Sequence, residues 1–322
     1  MGGERLSAGS QNSPNPTPTM NLEKQLLQMI ETGSMRALSA LGRYYFAEQH
    51  FYKALTVLKN CPPWDLEAHY RLGIIYFDGL EIKRDMKRAV KHMKKVATTP
   101  VEKSYVPEAL IRSAQYFVGY SYYAGFGVIT NEDEAIKWWL KAAHEGKPTG
   151  SILAQTALGL YYADPWHFDV DRSARWHIMA DNNKSPGSKA SRAVMCIYGL
   201  GKEKKIIKAL KNLKDAAYVY NNIFAAGHLV AFYYHRKMFN LAAQAAIRVT
   251  SDRLFQVEEQ AIKNQSDRKG LALAAFYLGR CYQLGRGVEE NIKKAQYLYN
   301  KAIKLDYDAM YKLYQTIIQD VV

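Results

Sequence analysis

The sequence predicts an all-α fold, an α-solenoid of antiparallel helix hairpins, and three observations point there. Ala68-Leu72-Gly73-Tyr76-Gly79-Ala89 recurs as Ala114-Val118-Gly119-Tyr122-Gly125-Ala135 and as Ala274-Leu278-Gly279-Tyr282-Gly285-Ala295. In each copy the two glycines are six positions apart and the first glycine and the later alanine sixteen apart, and Ala193-Gly199-Ala209 keeps both intervals with alanine in the first glycine's place. Within each copy the apolar and small positions fall at helical spacing. Such self-similarity marks stacked supersecondary units, so function is expected on an extended surface rather than in one catalytic pocket.

Taken in order, residues 1–20 are rich in Gly, Ser, Asn, Pro and Thr and read as a disordered leader, since they bury too little apolar surface to offset ordering entropy. They hold no apolar core of a secretory signal, and Leu6 stands where a myristoylation motif after Met1-Gly2 needs Ser or Thr. Residues 21–318 read as one helical-repeat array of seven hairpins. The first, near 37–60, is short: Gly42 and Ala54 are twelve apart, four fewer than the full unit, which tightens its turn. Full units follow near 68–98 and 114–146. In the second of these, Ala114, Val118 and Tyr122 form one stripe and Ala135, Trp138, Trp139 and Ala142 the facing one. The first glycine of each unit sits mid-helix at a cost of about 1 kcal/mol relative to alanine. That cost predicts close approach of the partner helix. Gly125 and Gly127 are expected at positive φ in the turn, where a side chain would strain the backbone.

Residues 154–180 keep Ala154-Leu158-Gly159-Tyr162 and Ala174-Trp176, with Pro165 and a polar stretch replacing the Gly-x-Gly turn. A further copy lies near 188–218. Residues 225–249 make a second short hairpin, with Val230 and Ala242 twelve apart, and the last, intact unit lies near 272–305. Segments 98–110 and 250–270 do not fit the period and are expected to be extended helices or loops.

A length of 322 residues would ordinarily suggest two globular domains, but stacked repeats form one elongated array whatever their number. The hydrophobic share of 48% and charged share of 23% are ordinary for a soluble protein, and no apolar run approaches the roughly 18 residues of a membrane helix. Cys61, Cys196 and Cys281 are scattered and odd in number, which indicates neither a disulfide framework nor a zinc site and suits a reducing, cytoplasmic compartment. A net charge of +14 admits anionic surfaces, acidic peptides and nucleic acid as partners.

The pattern A-x3-L-G-x2-Y-x2-G-x-G-V-x5-KA, nearly intact from Ala274 to Ala295, resembles the Sel-like repeat, a longer-looped relative of the tetratricopeptide repeat. Tyr70-Arg71-Leu72-Gly73, Ala157-Leu158-Gly159-Leu160-Tyr161-Tyr162 and Leu278-Gly279-Arg280-Cys281-Tyr282 carry the likeness, while Ala193 and Val230 depart from it. The resemblance runs from about Leu26 to Leu305. It implies a non-catalytic cytoplasmic adaptor or scaffold that binds proteins, in particular the cytoplasmic tail of an endocytic lipoprotein-receptor-type membrane protein of the megalin kind.

Chemistry is sparse. None of the eight histidines sits in HExxH, and neither a Gly-x-Ser-x-Gly elbow nor a phosphate-binding GxxxxGK[ST] run occurs. No catalytic residue, metal ligand or cofactor is assigned. Trp176-His177 reads as helix packing, and Gly125-Phe126-Gly127 and Gly285-Arg286-Gly287 follow helices and read as hairpin turns rather than phosphate loops. Arg84, Lys87, Arg88, Lys91, Lys94 and Lys95 advance by three or four and are expected on one exposed face of a second helix, with Lys204, Lys208, Lys211 and Lys214 a weaker series. This face is either simply solvated or meets an anionic surface; nucleic acid is disfavoured because no recognition module accompanies the charge.

Tyrosines three after the first glycine (Tyr45, Tyr76, Tyr122, Tyr162, Tyr233, Tyr282) recur once per unit and are expected between helices, so that Tyr282→Ala should cost about 3 kcal/mol. On tetratricopeptide geometry, residues one and four after that glycine face the concave side: Arg43 and Phe46, Ile74 and Phe77, Tyr120 and Tyr123, Tyr234, then Arg280 and Gln283. They read either as a peptide-binding groove with cations at both ends or as inter-helix packing.

Overall fold

The computed structural model describes residues 18–101, 104–144, 150–164, 166–200, 206–259, 262 and 264–319. Among them every regular element is helical. The chain divides into two compact units, residues 1–142 and 143–322. Of the expected leader, residues 1–17 lie outside the described ones, and helix begins at Pro18.

The first unit holds α1 (Pro18–Glu31), α2 (Met35–Ala47), α3 (Phe51–Leu58), α4 (Leu66–Asp78), α5 (Met86–Ala97), α6 (Glu108–Ala124) and α7 (Glu132–Ala143). The second holds α8 (Ile152–Tyr161), α9 (Val170–Asn182), α10 (Pro186–Tyr198), α11 (Ile206–Tyr218), α12 (Ile223–His235), α13 (Phe239–Thr250), the single turn α14 (Arg253–Gln256), α15 (Gln265–Leu284), α16 (Ile292–Leu305) and α17 (Tyr307–Gln319). Successive helices pack in pairs, α2 with α3, α4 with α5, α8 with α9, α10 with α11, α12 with α13 and α15 with α16. This is the α-solenoid class of stacked helix hairpins. The two stretches that broke the period run into the two longest helices, α6 of 17 residues and α15 of 20. No helix among the described residues is long and apolar enough to cross a membrane.

The mid-helix glycines are where the second helix of a hairpin presses on the first. A methyl group at Gly73 would lie 2.7 Å from Met93, one at Gly119 would lie 2.5 Å from the Trp139 ring, and one at Gly279 would lie 3.0 Å from Tyr299. All three contacts span twenty residues, so the repeat supplies a large side chain against each glycine. In the short hairpins the interval is sixteen: Leu58 faces Gly42. At the same interval Val230 and Ala246 are both fully buried, the large and small members having changed places.

Gly79, Gly125, Gly199 and Gly285 end their helices in the left-handed conformation, the last at φ +59. The second glycine of the turn serves another contact. Gly127 (φ +70) lies against the Met86 carbonyl at the start of α5, and Gly287 (φ +76) against the Phe239 carbonyl at the start of α13, so each loop is seated on the preceding hairpin with no room for a Cβ. The chain then returns through a cap. Asp85, Asn131, Asp169 and Asn291 each donate their N–H to the carbonyl of the recurring tyrosine (Tyr76, Tyr122, Tyr162 and Tyr282) at 2.9–3.0 Å. Their side chains accept from the third residue of the next helix.

Of those tyrosines, Tyr45, Tyr76, Tyr162 and Tyr233 are buried between helices. Tyr122 and Tyr282 are only half-buried, with Lys94 and Lys294 ammonium groups 4.7 and 5.2 Å from their ring centres. The penalty for Tyr282→Ala therefore falls below the 3 kcal/mol of a core aromatic, and the buried counterpart in that helix is Tyr277.

Candidate functional site

In the first unit the structure brings Phe77 of α4 and Tyr120 of α6 together through residues the periodic reading passed over. The Phe77 ring meets Phe117 edge-on at 4.4 Å and Phe126 at 6.0 Å; Tyr120 meets Phe126 at 5.6 Å and stacks on Tyr116 at 6.2 Å. Edge-to-face pairing satisfies the ring quadrupoles, so the cluster is held in one arrangement. All five rings are half-buried rather than enclosed. Phe126 is the middle residue of Gly-x-Gly, and an aromatic between two turn glycines was the available signal for it. Ile74 is half-buried against the core around Leu66 and Val118. Tyr123 leaves the cluster: exposed, it rests 5.3 Å from Trp139 of α7.

Arg43 is not an open cation. Glu67 pairs with it at 3.1 Å and with Arg71 at 3.3 Å, and Arg71 lies over the Phe46 ring at 5.9 Å. One carboxylate thus answers two guanidinium groups within the protein. In the second unit, Tyr234 of α12 packs 4.9 Å from Tyr277 and 5.3 Å from Phe239. Arg280 donates from Nη1 to Gln283 Oε1 at 3.1 Å, and the Tyr299 hydroxyl donates to the same oxygen at 2.8 Å. Burial pushes the Tyr299 phenol up to about 12, with Arg280 beside it acting in the opposite sense.

The basic series is divided by the fold. Arg84 precedes α5, which starts at Met86 behind its cap Asp85, and bonds the Asp78 carbonyl at 3.1 Å, so it is not on the helical face. Arg88 pairs with Asp85, Lys94 donates to the Tyr122 hydroxyl, and Lys95 approaches His69. Lys87 and Lys91 are exposed, and no carboxylate among the described residues pairs with either. Lys204 of the weaker series lies outside the described residues, while Lys208, Lys211 and Lys214 are exposed on α11.

No catalytic constellation stands out among the described histidines. His177 is 1% exposed, its ring fills the space over Gly159, and its Nδ1 is 3.2 Å from the Ser188 hydroxyl. Burial alone lowers its pKa to about 4. His69 and His92 face each other, Nδ1 to Nδ1 at 2.9 Å, and burial followed by the His69 charge lowers His92 to about 4. Among the described residues no group of three or more His, Cys, Asp or Glu side chains could hold a metal ion.

His177 makes a pH prediction. Its folded pKa is depressed below the unfolded value near 6.5, so the unfolded state binds the proton first and stability declines as pH falls from about 6.5 toward 4. The neutral ring's contribution, roughly 3 kcal/mol, is fully present above that window. Urea melts at pH 7 and pH 5 should show wild type losing more stability than His177→Gln. Equal losses would show that His177 is not the titrating group.

A scan against family models matches the Sel1 repeat at residues 66–98, 112–147, 190–218 and 272–307, the four copies that keep both sequence intervals. A Sel1 repeat protein from Oxalobacter formigenes superposes with a TM-score of 0.59 at 22% identity, over 82% of this chain and 98% of that one. A protective antigen of uropathogenic Escherichia coli strains displaying an SLR fold superposes with a TM-score of 0.57 at 22% identity, over 88% of this chain and 64% of that one. Both likenesses are of fold. An uncharacterized protein of Neisseria meningitidis serogroup B is 26% identical over 241 residues, 71% of this chain, which spans only 45% of that relative. Repeats of this kind generally mediate protein–protein interaction. Four of its hairpins thus match the Sel1 repeat, the repeat that its glycine and alanine intervals resemble.

Proposed function

We propose that the protein is a non-catalytic adaptor that takes an extended segment of a partner protein on the faces of its first helices. The observation that carries this reading is the half-buried ring cluster of Phe77, Tyr120, Phe117 and Phe126, built outside the fully buried core and presented by successive first helices. Such rings offer large contact area at low entropic cost, which is what anchors a peptide. The finer assignment is the cytoplasmic tail of an endocytic receptor of the megalin kind, met in the cytoplasm. It is supported by the order of units, which resembles that of the megalin-binding protein: a short hairpin, Sel-like units, a second short hairpin, an irregular insert and a last intact unit.

The test is capture of the full chain by an immobilised receptor tail, with salt elution. Retention by wild type that resists physiological salt and is lost in folded Phe77→Ala/Tyr120→Ala supports the reading. Equal retention of both contradicts it.

The exposed Lys87 and Lys91 favour a second reading, a basic scaffold for anionic membrane or nucleic acid. Binding of that kind falls by orders of magnitude between low and physiological salt and is insensitive to the aromatic substitutions.

A further inference from the structure

We propose that the second unit carries a binding site for a free α-amino acid with a short aliphatic side chain, of the size of valine. The site is the cavity where the end of α11, the start of α12 and the end of α13 meet. All of its residues belong to the second unit, and it is independent of the adaptor reading. The cavity has a volume of about 50 Å³, and Ala217, Leu229, Ala245 and Val249, all buried, line its floor. An apolar floor does not retain water and takes an apolar group instead. An engineered cavity of about 150 Å³ takes benzene, so about a third of that volume takes a branched group of three or four carbons and refuses a phenyl ring.

The same cavity is lined by one cation and one anion that do not neutralise each other. Arg248 and Asp252 stand four residues apart across the end of α13, a spacing at which arginine and aspartate commonly pair. No ion pair joins them among the described residues. Each is held elsewhere. The Arg248 guanidinium lies over the Tyr218 ring at 4.7 Å and donates from Nη2 to Asn221 Oδ1 at 3.1 Å, while Asp252 Oδ1 accepts from the Leu254 N–H at 2.8 Å. Both residues are exposed, and beyond these contacts the guanidinium has further N–H donors and the carboxylate a second oxygen.

The occupant follows from this pair of charges above an apolar floor. A free α-amino acid carries a carboxylate, an ammonium and its side chain on one carbon. The carboxylate meets Arg248 and the ammonium meets Asp252 through charge-assisted hydrogen bonds, while the side chain enters the cavity. The Asp252 side favours a cation for a further reason. Burial above all, with the Asp252 charge acting in the same sense, holds the Asp267 carboxyl above its ordinary range, so a second acid stands near. A simple carboxylic acid would set its one charge against Asp252, and an interior residue of a peptide brings neither charge.

The experiment is isothermal titration calorimetry of the full chain with L-valine. Saturable binding is expected, weaker by about tenfold or more for isovalerate, which lacks the ammonium, and for isobutylamine, which lacks the carboxylate. Glycine, without a side chain, and L-phenylalanine, too large for the cavity, should also lose about tenfold or more. Arg248→Gln and Asp252→Asn should each weaken L-valine binding about tenfold, the asparagine preserving the helix cap, and Ala245→Leu should abolish it by filling the floor. The ligand series reads the same contacts on unaltered protein, so a poorly folding variant does not blunt the test. Failure of L-alanine, L-valine and L-leucine alike to bind at millimolar concentration overturns the site. Isovalerate or isobutylamine binding as tightly as L-valine overturns recognition by paired charges, and an L-valine affinity unchanged by Arg248→Gln and Asp252→Asn overturns the location.

Discussion

Tyr277→Ala is expected to lower stability by about 3–5 kcal/mol, the range for emptying an aromatic site in a packed core. The side chain is 2% exposed on α15, with Tyr234 at 4.9 Å, Phe276 at 5.4 Å and the His235 ring at 5.3 Å around it. Its hydroxyl is 2.8 Å from His235 Nε2. These neighbours come from α12 and α15, so the cavity opens where two hairpins meet and cannot be closed by one helix moving alone. Tyr277→Phe keeps the ring and removes one hydrogen bond, and about 1 kcal/mol should be lost. Urea titration of both variants separates the packing contribution from the polar one. A loss in Tyr277→Ala no larger than in Tyr277→Phe would place the ring outside the core.

The second large effect is at Gly227. Alanine there is expected to destabilise the second unit by about 2 kcal/mol, although alanine in a helix interior is normally better than glycine by about 1 kcal/mol. A Cβ on Gly227 would run into the backbone of Gly270, and one on Gly270 into the Ile223 carbonyl. Main chain meets main chain there, so no flexible side chain can yield, and α12 would have to separate from α15. Gly270→Ala should behave likewise. The double variant should lose less than the two singles added, because both open the same contact. A stability gain in Gly227→Ala of the size propensity alone provides would refute the close crossing.

What the sequence disclosed, and what it withheld, divides by range. Gly73, Gly119 and Gly279 announced a close partner because each lies at a fixed interval within its own hairpin, and Met93, Trp139 and Tyr299 answer them at a fixed interval too. Gly125 and Gly127 were legible as turn residues from their neighbours alone. The crossing of Gly227 and Gly270 joins different hairpins at a separation that no repeat interval produces, so periodicity was blind to it. The pairing of Arg43 with Glu67 was hidden for the same reason, and it removes one of the two cations expected in the groove. Tyr123 stands at the same place after its glycine as Phe77, yet its ring rests beside Trp139 of α7, a contact between side chains of its own hairpin that counting from the glycine does not register. The caps Asp85, Asn131 and Asn291 were within reach: each stands nine residues after the recurring tyrosine.

The central claim is that aromatic burial on the first helices holds a partner segment. Its most direct measurement is the affinity of the immobilised receptor tail for wild type and for folded Phe77→Ala/Tyr120→Ala, each at low and at physiological salt. The account predicts a loss of about tenfold or more in the variant at both salt concentrations, with a shallow salt dependence in wild type. An affinity unchanged by the two substitutions, and collapsing with salt or with Lys87→Gln/Lys91→Gln, would contradict it.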